Sequence, residues 1–486
     1  MDFIEELRLV DGPVLWIAWA AGAAGLLYFL RLPSFLRQEW RHHAPGTNAP
    51  RLLVFLLPFA AAVLAASALL AAAHWLMIYA FPVLPGELPR EVLAWLLAAV
   101  AVLLLWILHL WRTWRRAGRP RTPGPGGTPG HESTPGSGGT PGNESTTRHP
   151  ARRAAASTAA LLGVVLLSAV QINGYFGLNH TVSDLTGTAV ARIQPLEDGL
   201  KRAPGARAGV SLSGWQPPPG LPATGVLRRA GLPGTSSGFD SREAYIYLPP
   251  AYLATPRPAL PVLVLFSGQP GAPADWLTGG ALRSRMDQFA AAHHGVSPVV
   301  VVVDPNGSAS GNTLCMDSTI ARADTFLAVD VPAWIIRTLD VDPDGQRWAA
   351  GGFSFGATCA MQMVTRHPDT YGSALAFSSE QEPALAKERE KTIAAAFGGD
   401  TGAFDRQTPL RLMAERRFEG HGIYFAAGER DPEFIANLEV LSGAARAAGF
   451  TVEARLVPGA GHSWETGSRG LPPGLDFLAA RWGIQQ

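Results

Sequence analysis

The sequence predicts two architectures in series, an all-α membrane region followed by an α/β domain with a mostly parallel sheet. Three observations predict this. Four long apolar runs crowd the first part of the chain, and charged residues make up only 16% of its 486 positions. From about Thr224 onward, short apolar runs alternate with helical patterns. The net charge of +1 leaves no basic face for nucleic acid.

The apolar runs are residues 13–30, 52–81, 92–110 and about 154–172, and none contains a charged side chain. At ~1.5 Å per residue the first three can cross a ~30 Å hydrocarbon core. The fourth centres on the short stretch AALLGVVLLSAVQI, and the side on which the rest of the chain lies depends on it. No basic segment precedes the first run, which therefore reads as a retained anchor and not a cleaved leader. His74 and His109 stand near span ends and read as interfacial, so the spans carry no ionisable pathway for transport.

Arginine sets the orientation. Arg31, Arg37, Arg41 and Arg51 lie between the first two spans. Arg112, Arg115, Arg116, Arg119, Arg121, Arg148, Arg152 and Arg153 lie between the last two. The opening MDFIEELRLVDG and the loop PVLPGELPREV are net acidic. The positive-inside rule puts both arginine-rich loops in the cytoplasm, with the N-terminus and everything after the fourth span outside. The expected protein is thus a multi-pass protein of the cell membrane. Residues 117–150 carry a degenerate T-P-G repeat with nothing apolar to bury, and read as a disordered cytoplasmic linker. Asn143 there matches a glycosylation pattern on the wrong side of the membrane.

Residues 1–175 form the expected membrane region. Residues 176–222 read as a juxtamembrane segment with a helix around 182–201, then a proline-rich linker (GWQPPPGLP). Residues 223–486 form the α/β domain. Its strand candidates are 243–248 (EAYIYL), 261–266 (PVLVLF), 298–303 (PVVVVV), 347–351, 373–377, 422–426 and 452–457. Helical patterns separate most of them, at 325–338 and 433–448 for example. Apolar strands alternating with helices argue a sheet covered on both faces.

G-x-S-x-G occurs twice, as GFSFG around Ser354 and GTSSG around Ser236. A nucleophile elbow needs a strand before its serine and a helix after it. GFSFG follows RWAAG and opens ATCAMQMVTRH; GTSSG lies in a loop between AGLPG and GFDSRE. Ser354 is therefore the candidate nucleophile. An acid and then a histidine should follow it in the chain. Asp431 (AAGERDPE) and His462 (GAGHSWE) each begin the loop after a strand, with Glu429 and Glu433 as alternative acids. An oxyanion hole needs two aimed backbone N–H groups. The candidates are Phe355, next after the nucleophile, and Gln269, in the loop FSGQPG. Cys315 and Cys359 lie on elements expected at the same end of the sheet, where they form either a disulfide or two buried thiols. No metal-ligand spacing occurs, and no cofactor is expected.

With these residues in view, the chain from about Arg242 onward resembles the family known as putative esterases. That family includes S-formylglutathione hydrolases, feruloyl and enterochelin esterases, and secreted mycolyltransferases. The resemblance is carried by YIYLPPAY, FSGQPG, DTFLAVDVPAWI, GFSFGATCAMQMVTRHPDTYGSALAFS and GAGHSWE. It implies an α/β-hydrolase fold without a large lid. It also implies Ser354, His462 and Asp431 as a triad, with Gln269 and Phe355 at the oxyanion hole. The expected function is a membrane-anchored serine esterase cleaving small-molecule or lipid-linked carboxylic esters outside the cytoplasmic membrane. Two alternatives are an acyltransferase serving a cell-envelope alcohol and a catalytically inactive binding module.

Overall fold

The structure is a computed structural model that describes residues 2–40, 51–80, 87–117, 149–203, 209–385 and 388–484. The stretch read as a disordered linker lies outside the described residues, apart from its ends, which continue helices. Asn143 and Arg41 also lie outside them. The chain divides into two compact units. One comprises Asp11–His74 and Leu88–Ile172; the other gathers Met1–Val10, Trp75–Glu87 and Asn173–Gln486.

The first unit is built from long helices: α1 (Pro13–Trp40), α2 (Arg51–Trp75), α3 (Arg90–Ala117) and α4 (His149–Phe176), the last reaching into the second unit. Among the described residues, four stretches are long and apolar enough to cross a membrane: Pro13–Leu30, Leu57–Ala80, Arg90–Arg115 and Arg152–Phe176. Small residues let α1 and α4 approach closely, as membrane helices do where no hydrophobic drive separates lipid from protein. A Cβ on Gly25 would strike the Ala160 carbonyl oxygen, and one on Gly163 would meet Ala21. Trp19 packs edge-on against Trp95 at 5.7 Å, joining α1 to α3. The Trp106 indole N–H donates to the Thr158 hydroxyl at 3.2 Å, joining α3 to α4. Trp16, Leu57, Leu64, Leu69 and Leu162 project outward.

The second unit is organised on a nine-stranded sheet in the order β1-β2-β3-β5-β4-β6-β7-β8-β9. The strands are β1 (Gln194–Pro195), β2 (Val226–Ala230), β3 (Ala244–Leu248), β4 (Val262–Phe266), β5 (Val299–Val303), β6 (Trp348–Phe353), β7 (Ser373–Phe377), β8 (Gly422–Gly428) and β9 (Thr451–Val457). From β5 through β9 all neighbours are parallel, while β3 runs antiparallel to β2 and β5. The central strands β3 to β8 are buried along their whole lengths. Burial on both faces explains runs such as VVVVV, which show no alternation. Strand order, direction and flanking helices are those of the α/β-hydrolase fold. Six parallel strands, β4 to β9, deliver their carboxyl ends to one edge, where such sheets carry ligands.

Two expectations need correction. The helix around 182–201 is two single turns, Val182–Leu185 and Thr188–Ala191, followed by β1. Gly187 at φ 71° breaks it, and Pro195 lies in the strand. The end of the stretch read as helix therefore contributes β1, and β2 follows in a stretch that had suggested no strand. Arg228 and Arg229 of β2 are held by Glu197 and Glu243, so the charges that hid the strand are its lateral braces.

Candidate active site

β6 ends at Phe353 and the chain turns at Ser354 into the helix Phe355–Arg366. Ser354 adopts φ 56°, ψ −121°, a costly conformation for a residue with a Cβ. The flanking glycines are needed by contact. A Cβ on Gly352 would collide with the Gly356 backbone, and one on Gly356 with the Phe266 carbonyl oxygen. The Ser354 N–H donates to Phe377 O at 2.9 Å, pinning the turn to β7. The other G-x-S-x-G match has a different task. The N–H groups of Ser236 and Ser237 and the Ser237 hydroxyl all donate to the Asp330 carboxylate, at 2.7, 2.9 and 2.6 Å.

His462 stands in the loop after β9. Its Nε2 lies 2.9 Å from Ser354 Oγ and its Nδ1 3.1 Å from Asp431 Oδ2. Asp431 is buried at the head of the helix Pro432–Ala447, and its side chain makes no capping bond there. The alternative acids are elsewhere. Glu429 accepts the Gly459 N–H at 2.8 Å, and Glu433 is exposed on the helix's first turn. The imidazole is held between two rings. Phe434 stacks on it at 4.1 Å with 28° between planes, and Phe353 tilts against it at 5.0 Å. Phe353 also meets Trp464 at 5.3 Å. Sequence reading singled out neither Phe434 nor Phe353; the available signal was an aromatic three residues past the candidate acid.

Phe355 is the first residue of the elbow helix, so no carbonyl one turn back accepts its N–H. Gln269 lies in the loop after β4, and its side-chain amide reaches Ser310 O at 3.4 Å. The Gly271 N–H donates to Ala309 O at 2.9 Å, lacing this loop to the one after β5. Behind both, Arg242 grips buried Asp304 through two nitrogens at 2.6 and 2.9 Å and donates to Gly271 O at 2.9 Å. Cys315, in the loop after β5, is disulfide-bonded to Cys359 on the elbow helix. Gln362 donates to Leu314 O at 2.8 Å beside the bond. Glu380, just past β7, sends its N–H to Thr358 Oγ1 at 3.1 Å. Burial, and then the nearby charge of Glu433, push its carboxyl up to about 7.

The arrangement joins a half-buried hydroxyl, an imidazole and a carboxylate in one hydrogen-bonded line. Such a line can take a proton from the hydroxyl and hand it on to a leaving group.

Residues 238–472 match the family described as "Putative esterase". An uncharacterized protein of Corynebacterium glutamicum is 40% identical over 271 residues, 54% of this chain and 63% of that protein. The chain therefore spans less than two thirds of the curated relative it matches. Similar solved structures include an S-formylglutathione hydrolase from Agrobacterium tumefaciens (19% identity, TM-score 0.45, 54% of this chain and 96% of that one). They also include MPT51 of Mycobacterium tuberculosis (18%, 0.41, 53% and 98%) and a ferulic acid esterase from Anaeromyces mucronatus (12%, 0.42, 59% and 99%).

Proposed function

Because the C-terminal domain belongs to this esterase family of α/β-hydrolases, we propose that the protein is a membrane-anchored serine esterase working outside the cytoplasm. The observation that carries the reading is the line Ser354–His462–Asp431, with contacts of 2.9 and 3.1 Å. Ser354 Oγ attacks the ester carbonyl while His462 Nε2 takes its proton. Asp431 holds the Nδ1–H tautomer and stabilises the imidazolium. The Phe355 and Gln269 N–H groups receive the oxyanion. His462 then protonates the departing alcohol, leaving an acyl-enzyme. Water, activated by the same imidazole, releases the acid; an alcohol in its place would make the reaction an acyl transfer.

Three findings support the location. The arginines concentrate in the loops before α2 and before α4. The segments before α1, after α2 and after α4 belong to one compact unit, which fits their lying on the same side of a membrane that the helices cross. The Cys315–Cys359 disulfide belongs to an oxidising compartment. Substrates that live in or beside the membrane, lipid-linked esters among them, would meet the tethered site at high local concentration.

The test is turnover of chromogenic short- and medium-chain acyl esters by the full-length protein, with Ser354→Ala beside it. The variant should lose at least about 10³-fold in kcat. Turnover that survives the substitution would sink the assignment. Transfer of the acyl group to glycerol or a sugar, followed by mass spectrometry, separates transferase from hydrolase.

A further inference from the structure

The hydrolase sheet does not hold its histidine loop alone. The last turn of α4 and the residues after it, Asn173–Gly177, belong to the same compact unit as the sheet. Asn173 secures this exit. Its side-chain amide donates to Asn179 O at 2.7 Å, and its Oδ1 accepts the Asn179 N–H at 3.1 Å. Gly177, at φ 63°, turns the chain off the helix. It does so against the start of the helix Trp464–Trp482, which follows the His462 loop: a Cβ there would stand 3.6 Å from the Glu465 backbone nitrogen and 3.8 Å from Trp464 Cβ.

Tyr175 reaches furthest. Its hydroxyl lies 3.0 Å, and its Cζ 3.6 Å, from where a Cβ on Gly461 would stand. Gly461 immediately precedes His462 and is buried. On its other side the fold is equally tight: a Cβ on Gly428, at the end of β8, would press on Gly461 O at 2.5 Å. The same carbonyl accepts the Thr466 hydroxyl at 2.8 Å and the Ser463 N–H at 2.9 Å. The peptide carrying His462 thus lies between the end of β8 and a phenol supplied by the last turn of α4, with no room to spare for a side chain on Gly428 and little for one on Gly461.

We propose that Tyr175 is a positioning residue for His462, so that the fourth helix sets the geometry of the base in addition to anchoring the domain. The inference rests on His462 being the general base. A displacement of a few tenths of an ångström at Gly461 passes directly to a 2.9 Å contact on which proton transfer depends.

The geometry specifies a compensation experiment in the full-length protein, in detergent or nanodiscs. Gly461 is not among the positive-φ glycines, so an alanine there meets no backbone strain of its own and instead requires the Tyr175 hydroxyl to give by a few tenths of an ångström. Gly461→Ala should push its methyl onto the Tyr175 hydroxyl and lower kcat by about 10-fold to 100-fold with KM within about twofold. Tyr175→Phe removes the hydroxyl and leaves Cζ at ordinary contact distance, so the double variant should recover to within about threefold of Tyr175→Phe alone. The rate at which an alkyl fluorophosphonate labels Ser354 should follow kcat, because it reads nucleophile activation without the natural substrate. Tyr175→Ala should slow labelling, with the acid limb of its pH profile altered. If Gly461→Ala proves too unstable to purify, this last variant carries the test.

An unaffected Gly461→Ala, or a double variant no faster than Gly461→Ala, overturns the proposal. So does normal labelling in Tyr175→Ala. Ser354→Ala, run in parallel, separates the two levels. If it retains turnover, the catalytic reading itself has failed. If it is inactive while the compensation is missing, only the role of Tyr175 falls.

Discussion

Glu380 is the residue near the site whose ionisation costs the fold most visibly. In the unfolded chain it would release its proton near pH 4.5, but burial and Glu433 hold the proton to about pH 7. The unfolded state therefore binds fewer protons between these values, and stability falls as pH rises through that window. Below it the carboxyl is neutral in both states and contributes no difference. Glu380→Gln should therefore match the parent in thermal melts at pH 4 and exceed it at pH 8, by at most about 3 kcal/mol. An equal advantage at both pH values would show that the gain is packing and not charge. Glu380 was not legible in the sequence, and neither was the Phe434 ring over His462, because burial and stacking join positions that share no local pattern. Ser354, Asp431 and His462 were legible because each follows a strand that its own neighbours announce. The glycines on both sides of Ser354 did not mark the elbow by themselves, since GTSSG carries the same pair; the strand before and the helix after did.

At the scale of elements, legibility tracked burial except at β9, an exposed edge strand read at 452–457 and found at Thr451–Val457. β3 to β8, buried throughout, appeared in the sequence as short apolar runs within two residues of their observed ends. β1 and β2, at the sheet's edge, did not. β2 reads VLRRA, half-buried along its length, and its arginines pair outside the strand, so neither hydrophobicity nor alternation marks it. The loop after β5 is the element most dependent on a single bond. The disulfide from Cys315 to Cys359 closes a loop with a sequence separation of 44. On the chain-entropy account, such a closure is worth about 4 kcal/mol. The Cys315→Ser/Cys359→Ser variant should lose up to that amount in urea unfolding, and its melt should not respond to dithiothreitol, whereas the parent's should. If reductant lowers both equally, the bond is not the element's support.

For the whole molecule, uninterrupted apolar runs marked the long helices but not which of the intervening segments join in one unit. Three segments that α1 to α4 separate in sequence are one unit in space. Placement of that unit outside the cytoplasm is tested by fusion after residue 486. A phosphatase reporter that folds only in an oxidising compartment should be active, and a fluorescent reporter that matures only in the cytoplasm should stay dark. The reverse pattern would overturn the orientation.

That gathering has a consequence in time. The Leu9 N–H donates to His180 O at 2.8 Å, the Val182 N–H donates to Leu7 O at 3.0 Å, and Arg8 bridges Thr181 in antiparallel sense. All four long helices are synthesised between the two sides of this small bridge. At roughly 5–20 residues per second, Leu7 to Leu9 leave the ribosome on the order of ten seconds before their partners exist. The bridge is therefore a clock on biogenesis. It closes only once the fourth helix has been made, so Leu7 to Leu9 wait without these partners while all four long helices are synthesised.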